Sequence, residues 1–114
     1  MKVYGIPNCN TVKKAIDWLK QNEVEYEFHD FKKEGITKEK LQQWAKRSGW
    51  EKLVNKKGTT WRSLGPEKQA QIQDTESAIE LMMEKPSVIK RPLIEYNGNI
   101  LLGFDEAEYD SQLK

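Results

Sequence analysis

The chain has 114 residues, enough for one domain built round one hydrophobic core. Hydrophobic residues make up 37% and charged residues 32%, a balance that fits a soluble globular chain and excludes disorder. Nineteen basic and eighteen acidic side chains leave +1, too little field to attract nucleic acid or an anionic membrane, and the single cysteine excludes an internal disulfide framework and a cysteine-rich zinc site.

The first ten residues, MKVYGIPNCN, hold no apolar run of signal-peptide length, and no stretch approaches a membrane span. A monomeric cytoplasmic protein is expected, with its thiol kept reduced.

Residues 2 to 6 read as a short strand. Residues 11 to 21 read as a helix, because Val12, Ala15, Ile16 and Leu19 fall at helical spacing. Val24, Tyr26 and Phe28 then alternate with Glu25, Glu27 and His29, the period of a half-buried strand. His29 lies on its polar side and reads as a solvated strand residue. Strand, helix, strand within about thirty residues is a βαβ unit, hence a parallel pair.

Gly35 breaks the chain and Thr37 is placed to cap a helix whose apolar face is Leu41, Trp44 and Ala45, ended by Gly49. Trp50 and Leu53 fold back on the same core. Residues 55 to 60 read as a polar, basic surface loop. Trp61 to Leu64 form a helical turn closed by Gly65-Pro66, and residues 67 to 73 are weakly helical. Asp74 or Thr75 caps a further helix with Ala78, Ile79, Met82 and Met83 inward, and Pro86 ends it or starts a following turn.

Leu93–Tyr96 and Ile100–Gly103 are apolar runs joined by Asn97-Gly98, the strongest short hairpin signal. A last short helix starts at Phe104-Asp105-Glu106, with Ala107 and Tyr109 facing in. The order β-α-β, helices, β-β-α predicts an α/β fold: a mixed four-stranded sheet with a helical insertion at about 37–88 in a single domain, residues 1–114.

Cys9 falls in the turn between the first strand and the first helix. Unpaired N–H groups point out of a helix start, and the macrodipole adds roughly +0.5 charge there. Both favour a thiolate, which makes Cys9 the candidate nucleophile. The N–H groups of residues 10 to 12 are placed to hold negative charge, Asn10 or Thr11 to cap the helix, and Lys13 to add charge nearby. A lone cysteine is most often a small buried hydrophobe; the turn and helix start bring the two readings to about even, and that alternative stands at this point. Arg91-Pro92 lies at the start of the third strand. If that strand lies beside the first, Pro92 faces Cys9, and Arg91 reaches an anion held there.

Four stretches together resemble the arsenate reductase-like family, which spans ArsC reductases, Spx regulators and YffB-type proteins. They are Pro7-Asn8-Cys9-Asn10-Thr11, Gly49 to Arg62 with its Gly58-Thr59-Thr60-Trp61-Arg62, Ile89-Lys90-Arg91-Pro92-Leu93, and Gly103-Phe104. The match runs nearly end to end and is nearest the YffB-type branch. The resemblance implies a thioredoxin-like fold, a nucleophilic Cys9, a cis proline at Pro92 and anion binding by Arg91; Arg62 is a candidate to stand in for a missing family arginine. It also implies a glutathione-linked oxidoreductase with no bound cofactor, glutathione as co-substrate and glutaredoxin as a possible protein partner. Two arginines expected on the family pattern fall at Asn55 and Gly103, and an expected histidine falls at Gly5. The Spx branch carries Cys-x-x-Cys, where this chain has Val12, so a disulfide at Cys9 has to form with another molecule. The same branch implies the alternative of a regulatory module without catalysis that docks on a partner such as RNA polymerase.

Overall fold

A computed structural model describes all residues, 1–114. The chain runs through β1 (Lys2–Gly5), α1 (Asn10–Gln21), β2 (Glu27–Asp30), α2 (Phe31–Glu34), α3 (Lys38–Ser48) and α4 (Trp50–Leu53). It continues through α5 (Thr59–Ser63), α6 (Gly65–Gln71), α7 (Thr75–Glu84), a 3-10 turn at Pro86–Val88, β3 (Leu93–Tyr96), β4 (Asn99–Leu102) and α8 (Glu106–Leu113). No helix is long and apolar enough to cross a membrane. The residues divide into two units, one of residues 1–30 with 91–114 and one of residues 31–90.

The first unit is the expected mixed sheet, in the order β2-β1-β3-β4. β1 pairs parallel with β2; β1 with β3 and β3 with β4 are antiparallel. The registers Val3↔Phe28, Val3↔Ile94 and Ile94↔Leu101 set four apolar side chains in one row across the sheet. Side chains alternate between faces, so this row fixes which face takes the helices. Ala15, Trp18 and Leu19 of α1 and Tyr109 of α8 close over it. Burying each large side chain of this kind contributes about 1.5–3 kcal/mol. The hairpin turn is as expected: Asn97 and Gly98 have φ of 46° and 77°, both positive as a type I′ turn requires.

The second unit is helical. Thr37 caps α3 by accepting from the Lys40 N–H at 3.2 Å. Asp74, not Thr75, caps α7: its carboxylate accepts from the Ser77 N–H at 2.9 Å, while the Ser77 hydroxyl accepts from the Asp74 N–H. Leu41 and Trp44 of α3, Leu53 of α4 and Ile79, Leu81 and Met82 of α7 are buried. Phe31 meets Trp44 edge-on at 6.4 Å. The Lys90 N–H donates to the Leu53 carbonyl at 2.7 Å, and the Asn55 N–H to the Val88 carbonyl at 2.8 Å.

Several expectations need correction. Trp18, not Ile16, completes the buried stripe of α1, because Tyr109 meets it edge-on at 5.5 Å and covers that position. Met83 is 45% exposed while Leu81 is buried; α7 turns residues 78, 79, 81 and 82 inward. Ala45 is only half-buried. Ala107 is exposed, since α8 is anchored by Tyr109 alone in its first turns. Gly65-Pro66 opens α6 instead of merely closing the turn before it, with proline at a position where its missing N–H costs nothing. β2 is shorter than its alternating pattern and starts at Glu27. His29 is half-buried and its ring lies 4.8 Å from that of Tyr4, so it is not simply solvated.

Candidate functional site

The turn that carries the cysteine is closed by the Cys9 N–H donating to the Ile6 carbonyl at 3.3 Å. Cys9 is extended, with φ −99° and ψ 126°, yet its carbonyl accepts the first helical bond, from the Lys13 N–H at 3.0 Å. That combination makes Cys9 itself the cap residue of α1. Asn10 and Thr11 therefore do not cap the helix, as expected of them, because they are already its first two residues. Gly5 lets the end of β1 approach this turn closely: a Cβ there would stand 2.9 Å from Val12 Cγ2.

The Cys9 side chain is half-buried, and its thiol is held below the ordinary value. Burial pushes it up, but four influences together outweigh that: the Val12 N–H, donation from the Arg91 guanidinium, the Thr11 N–H and the Arg91 charge. The neutral thiol makes no capping hydrogen bond; the N–H groups of Thr11 and Val12 favour its ionised form. An ionised Cys9 would therefore stand as an N-cap anion, with the helix start on one side and a guanidinium on the other.

Arg91 arrives by topology. β3 runs antiparallel beside β1, with Leu93 opposite Tyr4, so the residues preceding Leu93 continue toward the end of β1 that leads into the cysteine turn. Arg91 is half-buried there. Pro92 is buried, the Arg91-Pro92 peptide bond is cis, and the Pro92 carbonyl accepts from the Gly103 N–H at 2.8 Å.

The other expected site residues are placed as follows. Asn10, Thr11 and Lys13 are exposed on the first turn of α1; Thr11 acts on the thiol through its N–H, whereas Asn10 and Lys13 are not among the groups that shift it. Arg62 is exposed on α5, in the helical unit.

The positions where arginines were expected have other work. Asn55 holds its own loop: its side-chain carbonyl accepts from the Lys57 N–H at 3.3 Å and its backbone carbonyl from the Gly58 N–H at 3.2 Å. Lys56 places its ammonium over the rings of Trp50 and Trp61, at 5.5 and 5.7 Å, a pairing the basic-loop reading missed. Gly103 has φ 77°, a conformation that excludes arginine without strain. A cavity of about 670 Å³ between α3 and α7, lined by Ala45, Ile79 and Met83 among charged residues, contains none of the expected site residues.

A family model described as the ArsC family matches residues 4–112. Among solved structures, a protein named YFFB superposes with a TM-score of 0.94 at 43% identity, over 99% of this chain and 98% of that one. An arsenate reductase (ArsC) related protein from Brucella melitensis gives 0.79 at 43% identity, over 99% and 93%. The global transcriptional regulator Spx of Streptococcus agalactiae is 30% identical over 104 residues, covering 90% of this chain and 74% of the regulator.

Proposed function

The chain belongs to the ArsC family, with its thioredoxin-like fold, and from that premise we propose that it is a single-cysteine, glutathione-linked thiol oxidoreductase with Cys9 as nucleophile. The observation that carries this reading is the convergence on one sulfur of two helix N–H groups and the Arg91 guanidinium. A nucleophile of this kind is wasted on packing and suits attack on a disulfide.

The exchange runs in two balanced steps. The Cys9 thiolate attacks the glutathione sulfur of a mixed disulfide; a Cys9–glutathione bond forms and the substrate leaves as its thiolate, which takes a proton from water. A second glutathione thiolate then attacks the bound glutathione, releasing oxidised glutathione and restoring the Cys9 thiolate. The substrate sulfur leaves with the electron pair of its S–S bond and the second glutathione thiolate supplies the pair of the new one. The substrate sulfur is thus reduced and the second glutathione sulfur oxidised, while the first glutathione sulfur stays at the disulfide level. Because Cys9 is the only cysteine, the second thiol has to come from solution or from glutaredoxin. Arg91 binds a carboxylate of the incoming tripeptide, and Lys13, exposed on the first turn of α1, extends that anion site. A glutathione-rich cytoplasm fits this chemistry.

Arsenate is the poorer substrate on this reading. A charge-assisted hydrogen bond to an oxyanion is worth about 1.5–3 kcal/mol, so replacing two guanidinium donors by Asn55 and Gly103 weakens binding by orders of magnitude. The test is turnover of a glutathionylated peptide with reduced glutathione, read as oxidised glutathione formed, beside arsenate under the same conditions. Turnover by the intact chain and none by Cys9→Ser is expected; a rate no faster than uncatalysed exchange overturns the proposal.

The 30% identity to Spx favours a second reading, a regulatory module that docks on a partner such as RNA polymerase. Val12 in place of a second cysteine removes an internal switch from that reading. Partners captured equally by the intact chain and by Cys9→Ser, with no turnover by either, would select it.

A further inference from the structure

The guanidinium on which the thiol depends has no rigid element of its own. Arg91 precedes β3, outside the ladder of named strands. Its place is fixed by what holds Pro92, the next residue. The Pro92 carbonyl accepts from the Gly103 N–H at 2.8 Å, and Gly103 sits in a left-handed turn with φ 77° directly after β4. The Gly103 carbonyl in turn accepts a hydrogen bond from the Tyr109 hydroxyl of α8. The fully buried Tyr109 ring meets Phe104 edge-on at 5.0 Å and Trp18 of α1 edge-on at 5.5 Å. α1 is the helix that Cys9 caps. One side chain therefore touches both arms of the thiol site: the helix through Trp18, and the arginine segment through Gly103 and Pro92.

We propose that Tyr109 is a positioning residue for the thiol site, fixing through Gly103 and Pro92 where the Arg91 guanidinium stands relative to Cys9. The hydroxyl suits this task because burial, with the charge of Glu108, keeps it protonated and donating far above neutral pH. The aromatic contacts alone would hold α8 on α1; the hydroxyl is the part that reaches the arginine segment. Glycine takes this left-handed turn at little cost, and the Gly103 carbonyl faces the phenol.

The inference rests on Cys9 being the nucleophile, and the experiment separates the two. Cys9 alkylation is followed against pH in the intact chain, in Tyr109→Phe, in Arg91→Ala and in the double variant. Tyr109→Phe keeps the ring and both edge contacts, so the fold is retained. Its midpoint is expected to rise measurably, by less than the roughly one pH unit expected when the guanidinium itself is removed. In the Arg91→Ala background the same change is expected to shift the midpoint no further. Asp74→Ala is the control for stability alone: it removes the cap of α7, is expected to lower the melting temperature and leaves the midpoint in place. A Tyr109→Phe midpoint equal to that of the intact chain overturns the inference, as does a full shift that persists without Arg91. A midpoint at the free-thiol value in the intact chain instead overturns the reading of Cys9 itself.

Discussion

In residues 1–30 with 91–114, segments far apart in the chain meet: a helix start near one end and the approach to a strand near the other converge on one sulfur. Residues 31–90 are one continuous stretch, held by local devices such as the Thr37 and Asp74 caps and the apolar turns of α3 and α7. The difference teaches where chemistry and stability reside. The first unit brings a strand end, a helix start and a cation to one thiol and holds its pKa below the ordinary value. The second buries Leu41, Trp44, Leu81 and Met82 and has no cysteine to ionise.

The largest expected effect separates the two at once. Cys9→Ser is expected to abolish the mixed disulfide with glutathione, read by mass spectrometry, with little change in melting temperature. Leu81→Ala is expected to do the reverse. It should cost about 2–5 kcal/mol in denaturant unfolding by opening a cavity in the helical unit, while the pH dependence of Cys9 alkylation in the folded fraction stays put. If Leu81→Ala moved that dependence, the division between chemistry and scaffold would fail.

Arg91→Ala comes next. A hydrogen bond to a charged group is worth about 1.5–3 kcal/mol when shielded, but Cys9 is only half-buried, so screening reduces this to an upward shift of roughly one pH unit in the alkylation midpoint. Arg91→Lys keeps the charge without the planar fork and should fall between.

Titration sharpens the contrast further. Because folding lowers the pKa of this thiol from its ordinary value, the unfolded chain binds more protons in the window between the two. The stabilisation is therefore complete above about pH 8.5 and is lost as pH falls through the folded value. Tyr109 works in the opposite sense: its raised value gives stability that is present below the ordinary phenol range, about 10, and lost as pH rises beyond it. Cys9→Ser should flatten the first slope and leave the second. Met83→Ala is the smallest change, within about 0.5 kcal/mol, since that side chain is largely exposed.

Much of this was legible in the chain. Asn97-Gly98 carried the hairpin, the alternation at 24–29 carried β2, and Pro7 to Thr11 carried the turn with its cysteine, because each depends on neighbours in sequence. What could not be read depended on distant partners. Trp18 is buried because Tyr109, from the last helix, covers it. Leu81 instead of Met83 faces inward because the helical period leaves both near the edge of one stripe, and tertiary packing chooses between them. Cys9 as its own cap followed from a one-residue shift in the helix start, the least certain feature of any helix pattern. Arg91 beside the sulfur was conditional on β3 lying next to β1, which only the sheet order supplied.

The most direct measurement is the pH dependence of Cys9 alkylation in the intact, folded chain beside its unfolded form in denaturant. The account predicts a folded midpoint clearly below the free-thiol value of about 8.5. A folded midpoint equal to or above that of the unfolded chain would contradict it.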